Sequence, residues 1–191
     1  MIKINQKLDH PLEHKTECLI LACVEEKKPS GTLKKLNDEL AGAISHAFEN
    51  KRFGCKPWQT LLLNSNGKAS NLLLVGIGKS KDVTAEKICQ AAGTAAKLAE
   101  QSNFKSIAAD LSAFEGIAKG KGGFYGELAG AMAEGVGLAL YHFDNYKSRD
   151  EKDGPPSRIE KLTLLTASKS RQASTEKSIA RAEKIIDAVH T

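Results

Sequence analysis

Short apolar runs alternate with longer segments whose apolar residues recur at the helical period, and no other feature constrains the fold of this chain so tightly. The run Cys18 to Glu26, CLILACVEE, is too short for a buried helix and too apolar for a surface loop, so it reads as one buried strand. Behind it, Leu33, Leu36, Leu40, Ala43, Ile44, Ala47 and Phe48 share one helical face. That spacing predicts a single amphipathic helix over SGTLKKLNDELAGAISHAFENKRF, with Ser30 or Thr32 as N-cap. WQTLLLNSNG and Asn71 to Gly78, NLLLVGIG, read as two strands separated by GKAS, a spacing that a hairpin can close. Thr84 then caps a helix carrying Ile88, Ala91, Ala92, Ala95, Leu98 and Ala99 on one face, with Glu86 favourable in its first turn. FKSIAADL and RIEKLTLLTAS read as strands, and AEGVGLALYHFDNYKS as the end of a third helix. From Ser174 onward a last helix places Ile179, Ala182, Ile186 and Val189 on one stripe.

Strands alternating with helices predict an α/β fold, a three-layer α/β/α sandwich whose sheet is mostly parallel and made mixed by the hairpin. Lys147 to Arg158, KSRDEKDGPPSR, is charged and closes on Gly-Pro-Pro, as a surface connection would. A length of 191 residues suits one domain with an appendage. No apolar run approaches the ~20 residues of a membrane span. The opening MIKINQKLDHPLEHKTE lacks the apolar segment of a secretory signal, so the expected location is the cytoplasm. At the other end, STEKSIARAEKIIDAVHT keeps its helical pattern to Thr191 with no Gly, Asn or Pro to stop it; the expectation is that the polypeptide continues.

Residues that carry chemistry are scattered. Cys18, Cys23, Cys55 and Cys89 form no C-x-x-C pair and have no His at metal-ligand spacing, so they read as reduced, buried thiols. His10, His14, His46, His142 and His190 are isolated, and His142 with Asp144 lacks further ligands. GIGKS, Gly76 to Ser80, sits between a strand and a helix as a phosphate loop does. A Walker A sequence, however, needs glycine where Leu73 stands, and a dinucleotide fingerprint needs glycine where Lys81 stands; tight-turn glycines are the better reading. GKGGFYGELAG, preceded by Lys119 and containing Lys121, matches no phosphate motif. Gly123, Gly126, Gly130 and Gly137 fall with Ala133 on one stripe, which predicts close packing of that helix on the sheet. In YHFDNYKS, Tyr141, Phe143 and Tyr146 cannot share one helical face, so the helix is expected to end near Phe143, the aromatic rings closing the core, with Asp144 accepting from nearby N–H groups and Lys147 serving the helix C-terminus. The net charge of +5 permits weak polyanion binding.

Two segments carry a family resemblance: LLLVGIGKSKDVTAEKICQAAGTAAKLAEQ, and AEGVGLALYHFDNYKS, where aromatic, Asp, aromatic, Lys and Ser recur in order. Both resemble the N-terminal domain of the leucine (cytosol) aminopeptidases, and the terminal ARAEKIIDAV resembles the helix leading into that family's catalytic domain. The resemblance implies a macro-domain-like fold over residues 1–172 and, over 173–191, the start of a helix linking to a C-terminal catalytic domain. It further implies a parent hydrolase that removes N-terminal residues from peptides with two divalent metal ions, zinc or manganese, and assembles as a homohexamer. The family's metal and catalytic motifs belong to the C-terminal domain and are not in this sequence. No catalytic, cofactor-binding or metal-ligating residue is therefore assigned to this chain. The expected role is noncatalytic, in assembly and active-site access. The alternatives are a nucleic-acid-binding module and a macro-type ADP-ribose or nucleotide binder.

Overall fold

The computed structural model describes residues 2–25, 31–141, 159–166 and 168–190. Six strands form one sheet: β1 (Lys3–Leu8), β2 (Thr16–Val24), β3 (Thr60–Asn64), β4 (Ala69–Gly78), β5 (Ser106–Asp110) and β6 (Lys161–Thr166), in the order β1-β6-β5-β2-β4-β3. All neighbours are parallel except β3 and β4, which pair antiparallel from Thr60 opposite Val75 to Asn64 opposite Asn71. The hairpin and the mixed, mostly parallel sheet are as the sequence predicts. Alternation along the strands splits the core in two. Leu73, Val75 and Ile77 face α3 (Ala85–Gln101) and α5 (Phe124–Ala139), together with α6 (Gln172–His190). Leu72 and Leu74 face α1 (Gly31–Glu39) and α2 (Ala43–Glu49). These are the three layers. Between β5 and α5 lies a short α4 (Ser112–Ile117).

Thr84 is the N-cap of α3, its hydroxyl accepting from the Lys87 N–H at 3.2 Å, and Ile88, Ala91, Ala92, Ala95 and Ala99 are buried beneath it as the spacing requires.

Several expectations are corrected. The single helix from Ser30 is two helices, because Ala41 and Gly42 take positive φ of 49° and 84° and break the hydrogen-bond ladder; Asn37 Oδ1 then accepts from the Ser45 N–H and opens the second helix. Thr32 lies inside α1 instead of capping it, and Ser30 is outside the described residues. The glycine stripe of α5 packs on helices and not on the sheet. A Cβ at Gly126 would lie 3.1 Å from Ser178 Oγ, and one at Gly130 3.2 Å from Ser178 Cβ, while Gly137 faces Ile186, all on α6. Gly123 instead takes φ 75° just before α5. On the other side of α5, Gly135 abuts the backbone of Cys89 in α3. Val189 is 51% exposed, beyond the reach of the α6 stripe that buries Ile179, Ala182 and Ile186. Helix α5 is complete at Ala139, ahead of the expected end, and Tyr141 is 37% exposed; His142, Phe143, Asp144, Tyr146 and Lys147 lie outside the described residues.

Candidate functional site

The order of the strands singles out one place. From β2 the chain moves through β3 to β4 on one side; from β5 it moves to β6 on the other, between β5 and the first strand β1. Adjacent parallel strands whose connections depart in opposite directions leave a crevice at their carboxyl ends, where ligands of open α/β sheets bind. A cleft of about 540 Å³ occupies that position. Its walls come from the end of β2 (Leu21 to Val24), the start of α1 (Gly31 to Leu33), Ser80 beyond β4, and Asp110, Ser112, Ala113, Gly116 and Ile117 around α4.

Asp110 is its polar centre. It ends β5 and is 3% exposed, with Oδ1 accepting from the Ser112 N–H at 2.9 Å and Oδ2 from the Ser112 hydroxyl at 2.6 Å. Burial pushes the carboxyl above the ordinary carboxylate value, and the two Ser112 hydrogen bonds partly offset this. The Ser112 hydroxyl lies 3.5 Å from the Thr32 hydroxyl, so the rim of α4 meets the first turn of α1 across the cleft. A buried carboxylate among apolar walls, flanked by hydroxyls, can bind and orient a hydrogen-bond donor. Sequence reading missed Asp110, since one acid at a strand end belongs to no motif. The available signal was Asp-x-Ser directly after a parallel-strand pattern, the signature of a side chain turning back on its own backbone.

The residues that the sequence did single out are dispersed. Gly78 ends β4 with φ 76° and Pro57 packed against it, as a turn glycine does, but Gly76 lies within the strand, where a Cβ would collide with the Lys56 carbonyl oxygen; it is required by close backbone approach and not by a turn. His14 Nδ1 lies 2.9 Å from Asp9 Oδ2, His10 Nδ1 accepts from the Leu12 N–H, and His46 pairs with Asn50. Cys18, Cys23 and Cys55 are buried, and burial pushes the Cys18 thiol up to about 12; Cys89 is only half-buried. Lys121 lies over the Phe124 ring, 4.7 Å from its centroid. Among the described residues, no group of three His, Cys, Asp or Glu is placed to hold a metal ion, and no helix is long and apolar enough to cross a membrane.

Residues 20–150 match the model of the cytosol aminopeptidase family, N-terminal domain. A probable cytosol aminopeptidase from a Geobacter species is 31% identical over 173 residues, which are 90% of this chain and 33% of that protein. The chain thus spans about a third of the length of the curated relatives it matches. Among solved structures, a tomato leucine aminopeptidase mutant superposes with a TM-score of 0.79 at 23% identity, covering 99% of this chain and 37% of that one. A Trypanosoma brucei macrodomain in complex with ADP superposes at 0.61 with 12% identity, over 93% of this chain and 68% of that one. These likenesses show the fold, which is macro-domain-like.

Proposed function

From the chain's place in the cytosol aminopeptidase family, to which it belongs as an N-terminal domain, we propose that it is the noncatalytic domain of a larger cytoplasmic leucine aminopeptidase. The observation that carries this reading is the match itself: a family model for an N-terminal domain covers residues 20–150, and the matched stretch is only about a third of the relatives' length. On this reading residues 1–172 are the domain and 173–191 begin the helix that leads to the catalytic domain. Because Ile179, Ala182 and Ile186 bury that helix against the body of the domain, it would leave in a fixed direction, as a domain that positions its partner requires. Two divalent ions, zinc or manganese, would supply metal-activated water in the parent enzyme. The described residues of this chain offer no donor set for them, so no catalytic step is assigned here. The domain's part is assembly of a homohexamer and control of access to the peptide site.

The test is to join the chain to the catalytic portion of a relative and measure mass by light scattering alongside peptide hydrolysis. The expected result is a hexamer that loses order or changes peptide-length preference when residues 1–172 are removed. An unchanged hexamer with unchanged preference would overturn the reading.

A macro-type nucleotide site has one observation in its favour, a cleft at the carboxyl ends of the strands in a fold shared with a macrodomain solved with ADP. Calorimetry with ADP-ribose tests it, and micromolar binding would put nucleotide recognition first. Nucleic-acid contact rests on the net charge of +5 and predicts weak, steeply salt-dependent DNA binding in a gel shift. Sequence-selective binding at physiological salt would promote it.

A further inference from the structure

Among the described residues, the cleft is lined by one carboxylate, Asp110, the hydroxyls of Ser112, Thr32 and Ser80, and the Cys23 thiol, and the His10 imidazole lies near enough to Asp110 to favour its charged form. Their chemistry is selective. A buried carboxylate is costly to keep charged unless a cation or strong donors face it. The donors of Ser112 occupy one site on each oxygen, and a carboxylate offers about two sites per oxygen, so acceptor capacity is left over. A phosphate approaching Asp110 would add negative charge to negative charge. An ammonium group would complete the acceptor set and form a charge-assisted hydrogen bond inside an apolar enclosure, where such bonds are strong. The enclosure is built from Leu21, Val24, Leu33 and Ile117, which suits a branched aliphatic group.

We propose that this cleft binds a primary ammonium group carried next to an apolar side chain, the chemistry of the N-terminal residue of a peptide or of an amino-acid amide. The ammonium faces Asp110, the side chain lies against the β2 and α4 walls, and the adjoining carbonyl or amide meets the hydroxyls of Thr32 and Ser80. The volume, about 540 Å³, lies within the ~300–1,000 Å³ usual for small-molecule sites and holds a residue with part of its successor. The cleft argues this ligand class alone, without a catalytic domain, so it goes beyond the domain reading and can fail independently of it. If the domain reading is right, the molecules recognised are those an aminopeptidase consumes and releases, and the cleft is a second place, apart from the peptidase chemistry, where they are sensed.

The experiment is a calorimetric titration of the purified chain with three probes: L-leucinamide, 4-methylpentanamide, which is the same molecule without its amine, and ADP. Leucinamide should bind at a single saturable site, and the amine-free amide at least tenfold more weakly. Asp110→Asn should weaken leucinamide at least tenfold and leave the amine-free amide unchanged, while Leu33→Trp, which adds bulk to the cleft wall, should weaken both. The ligand pair decides the question even if Asp110→Asn fails to fold. Equal affinity for the two amides, no saturable binding of leucinamide at millimolar concentration, or ADP binding more tightly than leucinamide would each overturn the proposal.

Discussion

The two faces of the sheet are covered by different means. On one, the long helices α3, α5 and α6 lie so close that glycines form their seams: Gly93 on α3, and Gly126, Gly130, Gly135 and Gly137 on α5. On the other, the short helices α1 and α2 are held by larger side chains, Leu36 and Ile44, with Phe53 beyond them, and their first turn opens onto the cleft. Close backbone approach leaves the helix seams of the first face little room to adjust, and a cleft of about 520 Å³ opens beside Gly126, Gly130 and Ser178; the short helices of the other face leave the Asp110 cleft at the strand ends. The first face fixes the path of α6, and the Asp110 cleft lies at the strand ends where α1 of the second face meets α4 of the first.

Substitutions can break this contrast, beginning with the largest effect. Ile88→Ala, fully buried under α3, should cost about 4 kcal/mol, and Ile44→Ala, equally buried under α2, about 2 kcal/mol, since the lighter cover can collapse into the space. Chemical denaturation measures both, and equal costs would remove the distinction. Gly135→Ala should cost about 2 kcal/mol because its Cβ meets the Cys89 backbone, which cannot turn aside. At the rim of the cleft, Gly116→Ala meets nothing within 4 Å and should be neutral or stabilising by about 0.5 kcal/mol. Gly42→Ala separates crowding from strain: nothing lies near it, yet its φ of +84° should make the change cost on the order of 1 kcal/mol in thermal or chemical melts.

The smallest effect belongs to neither face. In the connection after β1, hydrogen bonds from Lys7 and then His14 hold the Asp9 carboxyl down from 3.8 to about 2. A depressed native pKa means that the pair's stabilisation is present above 3.8 and is lost as pH falls toward 2. Asp9→Asn should flatten that part of the melting-temperature profile, and because Asp9 is partly exposed and Lys7 is exposed, the change should be slight. An identical profile would show that the contacts contribute nothing in solution.

How much of this was legible depends on where the determining contacts lie in the chain. Thr84 and the alanines of α3 act within one helix, and the β3–β4 hairpin within one turn, so spacing revealed them. Strand β1 was missed because Lys3, Asn5 and Lys7 face solvent at a sheet edge, and no apolar run marks it. The break at Ala41 and Gly42 was hidden in an apolar pattern that continues through it. The glycines of α5 announced close packing, but not that their partners were Ser178 and Ile186 on α6 and Cys89 on α3, residues remote in the chain. Asp110 became a candidate only when the strand order placed the ends of β2 and β5 side by side.

The central claim, that this domain recognises and positions while the peptidase chemistry lies elsewhere, is tested most directly by incubating the purified chain with leucinamide and manganese or zinc and following ammonia release. The account predicts no metal-dependent release above the protein-free control, even at leucinamide concentrations that saturate the cleft. Metal-dependent turnover that survives repurification of the chain would contradict it.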